Sequence, residues 1–173
     1  MVVSYRHGIY LPEIDLWLDP QHPRGTAVVS HAHSDHIQTH AVTLATPATA
    51  AMMAHRLGPG GSCRPLLFGR RTEFPGFAVT LFPAGHVLGS AQVLIERNGE
   101  RLLYSGDFKL KPGRSVEATE VPEADVVIME TTFGKPGYVF PPAEEVMQTV
   151  RGWVRGAWAV SYTHLTLPTI CSV

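Results

Sequence analysis

Seven consecutive residues, Ser30-His31-Ala32-His33-Ser34-Asp35-His36, hold three imidazoles and a carboxylate. Imidazole nitrogen and carboxylate oxygen are donors that zinc accepts readily. Buried side by side without a metal, such groups would need other partners to offset their desolvation. The stretch directly follows the apolar run Ala27-Val28-Val29, so it reads as the end of a strand. Alternate side chains of an extended segment share a face, which sends His31 and His33 to one side. A turn then predicts that Asp35 and His36 face the same cavity from the start of a helix. Taken alone, the stretch could be a solvated His-rich turn, so further ligands are needed. Pro83-Ala84-Gly85-His86 closes an apolar run over 77–82, and Ser105-Gly106-Asp107 closes another over 101–105. Each puts a ligand-type residue at a strand end, where a site at the edge of a sheet would collect it. The expected metal ligands are therefore His31, His33, Asp35, His36, His86 and Asp107.

The elements that must position them are mostly short strands, predicted near 16–18, 26–29, 42–45, 77–82, 91–97, 101–105 and 126–129. Each is rich in Val, Ile, Leu or aromatic residues and bounded by Gly, Pro, Asn or Asp. Asn98-Gly99 marks the clearest hairpin, because a tight two-residue turn needs positive φ at both central positions. One helix is predicted from Thr46 as cap and Pro47 in the first turn to a stop at Gly58. A second follows Pro141-Pro142, with Glu144 and Glu145 in its first turn and Val146, Val150, Trp153 and Val154 at helical spacing. Strands interleaved with helices predict an α/β fold with sheets covered by helices.

Bulk composition bounds the rest. A domain of this size buries roughly 70% of its unfolded surface. At 45% hydrophobic and 17% charged residues the chain reads as globular. No run approaches the ~20 apolar residues a bilayer needs, so no membrane partner is expected. Arg6, His7, Glu13 and Asp15 interrupt the apolar N-terminus, unlike a signal peptide. Two cysteines, Cys63 and Cys171, imply no disulfide framework, and the expected location is cytoplasmic. A net charge of −1 gives no general attraction for polyanions. The final stretch from Val160, VSYTHLTLPTICSV, breaks the helical pattern. It resembles a peptide translated from a sequencing adaptor, so 160–173 reads as a non-native tail in which His164 and Cys171 do nothing.

The ordered set HxHxDH, then a lone His, then an Asp resembles the metallo-β-lactamase superfamily. That resemblance implies the N-terminal part of an αββα sandwich over 1–159, with the start of a β-CASP region. Position by position, it implies that His31, His33 and His86 hold one metal and that Asp35 and His36 hold a second. Asp107 would bridge them, and the cofactor would be two Zn2+ ions, with Mn2+ as the alternative. Two such ions lower the pKa of bound water, giving a nucleophile at neutral pH; Asp35 would also orient that water. The last metal-binding His of the family has no counterpart before the suspect tail. Asp19, in Leu18-Asp19-Pro20, matches an acid that supports a ligand histidine from behind, although an Asp-Pro turn explains it about as well.

Two segments narrow the branch. His86-Val87-Leu88-Gly89-Ser90-Ala91 is similar to the β-CASP nucleases, where small hydrolases of the superfamily carry a Thr-Pro pair at Val87-Leu88. Glu130-Thr131-Thr132-Phe133-Gly134 resembles the acidic motif that opens the β-CASP region, with Glu130 helping to protonate the leaving group. The resemblance is to bacterial exonuclease-like members, either RNA-processing or associated with a DNA ligase. It implies RNA or single-stranded DNA as substrate, with a DNA ligase or helicase as candidate protein partner. The expected function is a metal-dependent phosphodiesterase or exonuclease in the parent protein, this fragment being inactive by itself in one reading. The alternatives are a thioester or lactone hydrolase and a non-catalytic subunit that binds nucleic acid. Lys109 and Lys111 read as solvated charges, and His7, His22, His55 and Cys63 as incidental surface residues. Ile37 stands where a HExxH protease would need its Glu, so His36 and His40 do not make that motif.

Overall fold

The computed structural model describes residues 1–58 and 60–159. The suspected tail, including His164 and Cys171, lies outside them. Compactness divides the chain at Glu130 into Met1–Glu130 and a second unit from Thr131.

In the first unit two sheets form. One has six strands in sequential order: β1 Ser4–Tyr5, β2 Ile9–Leu11, β3 Leu16–Leu18, β4 Thr26–Val28, β5 Val42–Ala45 and β6 Ser62–Pro65. The first three pair antiparallel, and β3 through β6 run parallel. The other sheet holds β7 Thr72–Phe74, β8 Phe77–Pro83, β9 Ala91–Arg97, β10 Glu100–Tyr104 and β11 Val126–Ile128, in the order β11-β10-β9-β8-β7. All seven predicted strands are present, shifted by a residue at some ends. Strands β1, β2, β6 and β7 were not anticipated; three of them have two or three residues and β6 is wholly exposed, so none carries a strong alternating pattern. The Asn98-Gly99 hairpin forms with φ of 51° and 81°.

The two sheets share a core. Leu11, Leu16, Leu18, Val28 and Leu44 from the first pack with Val79, Leu81, Val93, Ile95 and Leu102 from the second. This is a mixed α/β fold built on two packed sheets. Helix α1, Pro47–Leu57, starts where the Thr46-Pro47 pair predicts, with the Thr46 hydroxyl accepting the Thr49 N–H. Its Met53 joins Val29, Ala32 and Ile37 in a small separate cluster beneath the histidine-rich turn. In the second unit α2, Ala143–Ala159, fills the predicted helix.

Candidate metal centre

The segment after β4 delivers four side chains to the site, and the loops after β8 and β10 deliver one each. Parallel β4 stops at Val28, and the next residues continue extended between Leu44 and Ala91, to which Val29 and Ser30 bond through their backbones. The chain then turns, with the N–H groups of His36 and Ile37 both donating to the His33 carbonyl. The expected helix at this point is absent: 34–36 form only a turn. Burial of Ile37 beside Val29, Ala32 and Met53 supplies the anchor that a helix was expected to give.

The loop after β8 carries His86. Ser90 gathers it by accepting the N–H groups of His86 and Val87 at 3.1 and 3.2 Å. Thr46 and Thr49 of the α1 N-terminus donate to the Gly89 carbonyl at 2.7 and 3.0 Å. The site therefore borrows its rigidity from a helix cap. Asp107 follows β10, and the N–H of the next residue, Phe108, donates to Glu130 at 3.2 Å.

The side chains converge. Nε2 of His31 lies 2.9 Å from Nδ1 of His33, which lies 3.2 Å from Nε2 of His86. Oδ2 of Asp107 stands 3.7 Å from the His31 nitrogen and 3.6 Å from the His86 nitrogen. A tetrahedron with donors about 2.1 Å from its centre has edges of about 3.4 Å. The four separations, 2.9 to 3.7 Å, bracket that edge, so the set fits a tetrahedral divalent ion. The other oxygen of Asp107, Oδ1, faces His36 Nε2 at 3.7 Å, and Asp35 Oδ2 stands 3.6 Å from the same nitrogen. A second, more open set of donors thus shares Asp107 with the first.

Behind both sets sits Asp19, 8% exposed. Its Oδ1 accepts the Ser30 N–H at 2.7 Å. Its Oδ2 accepts the hydroxyls of Ser30 and Tyr104 at 2.5 and 2.9 Å, and lies 3.0 Å from His36 Nδ1. With four donors already on it, Asp19 has little left for a metal, although it lies close to His31 and His36. Its geometry instead fixes two tautomers. Donating its one proton to Asp19, the Ser30 hydroxyl can only accept from His31 Nδ1, 3.0 Å away. That leaves His31 Nε2 with a lone pair aimed at the first set. A proton on His36 Nδ1, held by Asp19, does the same for His36 Nε2.

Electrostatics favour the neutral, ligating form of His31 and His86 and oppose the ligating form of His36 and Asp107. Burial, followed by the charge of nearby His36, holds His31 down to about 3. Burial also lowers His86, against the opposing pull of Asp107. His36 is raised: burial works against its charged form, but the Asp19 hydrogen bond and the charges of Asp19, Asp107 and Asp35 outweigh it. Asp19 is lowered, because His36 and Ser30 overcome the burial penalty. Asp107 is raised, first by burial and then by neighbouring Glu130.

The structure thus brings together all six predicted ligands, with Glu130 lining the adjoining cleft beside Asp35, His36 and Asp107. Asp19 lies against His36, as the family resemblance implies. Ser30 and Tyr104 were missed. Ser30 directly precedes His31, and the signal for Tyr104, three residues before Asp107, was a hydroxyl-bearing aromatic at the end of the β10 strand. His40 is buried, unlike the surface histidines His7 and His22, and takes no part in the cluster. Lys109 and Lys111 are exposed, and Cys63 is a free, exposed thiol.

A two-sheet sandwich with His and Asp donors at its strand ends defines a class, and sequence comparison agrees with it. Residues 16–152 match the family described as "Beta-lactamase superfamily domain", and the chain belongs to that family. It is 49% identical over 151 residues to a "Probable DNA ligase" of Opitutus terrae, covering 86% of this chain and 15% of that protein. It is 45% identical over 64 residues to "Endoribonuclease YSH1" of Kluyveromyces lactis, covering 36% of this chain and 8% of that one. To an "RNase J-like protein" of Methanocaldococcus jannaschii it is 34% identical over 79 residues, covering 40% and 19%. These similarities support the β-CASP branch of the metallo-β-lactamase superfamily. The chain spans less than a fifth of the length of each relative.

Proposed function

We propose that the protein is a hydrolase of phosphodiester bonds in single-stranded RNA or DNA, dependent on two divalent ions, zinc being the first choice. The observation that carries this is Asp107, whose two oxygens face two separate sets of nitrogen donors at 3.6–3.7 Å. His31, His33, His86 and Asp107 would hold one ion, and Asp35, His36 and Asp107 the other. Ions so placed lower the pKa of water and neutralise charge on a phosphate. The chain's own residues do the rest. Asp19, directly at His36 and through Ser30 at His31, takes up the Nδ1 side of each ring and leaves the Nε2 atoms as the ones turned toward the metal sets. Asp35, with its side chain 76% exposed beside His36, is free to orient water at the mouth of the cleft. Glu130 lines that cleft and is positioned to hold a proton for the leaving oxygen. The endoribonuclease and RNase J-like relatives support nucleic acid as substrate, and the ligase relative supports a DNA-end partner.

Incubating the protein with a labelled single strand, with zinc or manganese and then with chelator, tests this. Metal-dependent cleavage that stops in chelator is expected. Cleavage that ignores chelator, or thioester turnover without any action on nucleic acid, would overturn it.

A further inference from the structure

The cleft beside the metal centre has a second wall that the chemistry above leaves unused. A cavity of about 260 Å³ is bounded on one side by Asp35, His36, Asp107 and Glu130, and on the other by Tyr5, Ile9 and Gln21. Strand register explains why Tyr5 is there. Tyr5 pairs with Ile9, Ile9 with Leu18, and Leu18 with Val28, so one row of side chains crosses the sheet on a single face. Leu18 and Val28 carry that row through the core, and Tyr5 stands at the β1 edge with 71% of its surface exposed. A large aromatic ring is thus left open beside a polar site, next to the partly buried Ile9.

The turn that presents this wall is held in a costly conformation. His7 adopts φ 56° and Gly8 φ 139°, and a Cβ on Gly8 would come within 2.6 Å of the Pro20 backbone. The Gln21 N–H donates to the His7 carbonyl at 2.9 Å. Left-handed geometry at a non-glycine residue persists only where its surroundings enforce it. Here it locks the Tyr5 edge to the segment that continues from Asp19 into Gln21. The opposite face of the same strands is stiffened by a stack. Arg6 lies over Tyr10, Tyr10 on Trp17 at 4.3 Å, and Arg24 over Trp17 at 4.0 Å. The wall is therefore braced on both faces, and Tyr5 and the exposed Gln21 both line the cavity.

We infer that Tyr5 is the stacking platform for a nucleobase next to the bond being cut, and that Gln21 hydrogen-bonds the edge of that base. This rests on the nucleic-acid reading above and assigns positioning residues within it. Every base offers a π-face, so such a platform grips single strands of any sequence. Gln21, with both a donor and an acceptor, would add a modest base preference. A duplex keeps its bases stacked and would not use the platform.

The test uses the full chain with zinc and a single strand whose phosphorothioate linkages slow cleavage, carrying 2-aminopurine at successive positions. Stacking on Tyr5 should quench fluorescence at one position only. Tyr5→Phe should keep both quench and affinity, whereas Tyr5→Leu, apolar but not aromatic, should lose the quench and bind about 5- to 150-fold more weakly, the range base–aromatic stacking gives. Circular dichroism and thermal melting of each variant check that the exposed site tolerates the change. If the wild type binds and Tyr5→Leu binds and quenches equally well, the platform is wrong and the nuclease reading stands. If the wild type binds no strand at all, both fall.

Discussion

Asp19 is the residue on which the site turns, because one carboxylate accepts from Ser30, Tyr104 and the His36 ring. Asp19→Ala removes the acceptor that fixes the tautomers of His31 and His36. Partners of this kind are typically worth 10- to 100-fold in metal affinity. Zinc affinity by competition with a chromophoric chelator should fall by about that factor, and an unchanged affinity would remove Asp19 from the role. A second residue-scale prediction concerns His40, 2% exposed, whose Nδ1 accepts the Arg24 N–H at 3.2 Å. Burial lowers its pKa, with Arg24 adding to the effect and Asp19 opposing it. A histidine whose folded pKa is depressed stays neutral in the native state while the unfolded chain protonates near pH 6.5. It therefore favours folding above that pH, and the benefit is lost as pH falls below it. The difference in unfolding free energy between wild type and His40→Asn should shrink as pH drops from 7 to 5. A difference that stays constant would show that His40 does not titrate on unfolding.

At the scale of elements, the loop that delivers His86 depends on α1. The Gly89 carbonyl accepts from Thr46 and Thr49, and Gly89 itself has φ 76°. A Cβ there would meet the Ala48 Cβ at 2.6 Å and the Thr46 hydroxyl at 2.9 Å. Gly89→Ala should therefore cost more than about 1 kcal/mol in denaturant unfolding, and it should also weaken zinc binding by displacing His86. Loss of stability without any loss of zinc binding would mean that the loop and helix are not coupled. This coupling was invisible in the sequence, because it joins positions some 40 apart through one carbonyl. What the sequence did show was local. Strand ends were marked by turn residues, α1 by Thr46-Pro47, and the candidate ligands by residue type near those ends. The six candidate donors were legible because they fall in three short stretches, each following an apolar run. The turn at Ser34–His36 was misread as a helix start, because its stability comes from Ile37 packing on Met53, a contact no local pattern announces. Strands β1 and β2 were missed for the related reason that two- and three-residue strands gain their order from neighbours.

Considered as a whole, the chain concentrates its buried apolar surface before Glu130. Both core clusters lie there, whereas every described residue from Thr131 to Trp153 is exposed, Phe133, Tyr138, Phe140 and Trp153 among them. Local stability follows the density of buried apolar contacts. Limited proteolysis should thus cut first between Thr131 and Pro142, leaving a resistant fragment that ends near Glu130. Zinc sharpens the comparison. An ion that binds only the native fold stabilises it by about 2.7 kcal/mol when present at 100 times its Kd. All proposed ligands lie between His31 and Asp107, so the gain should appear in the first unit alone. Adding zinc should slow digestion of the fragment and leave the rate of the first cut unchanged. Equal protection of both would mean that metal binding also orders the residues after Glu130, whereas no protection of the fragment would count against metal binding at these six residues.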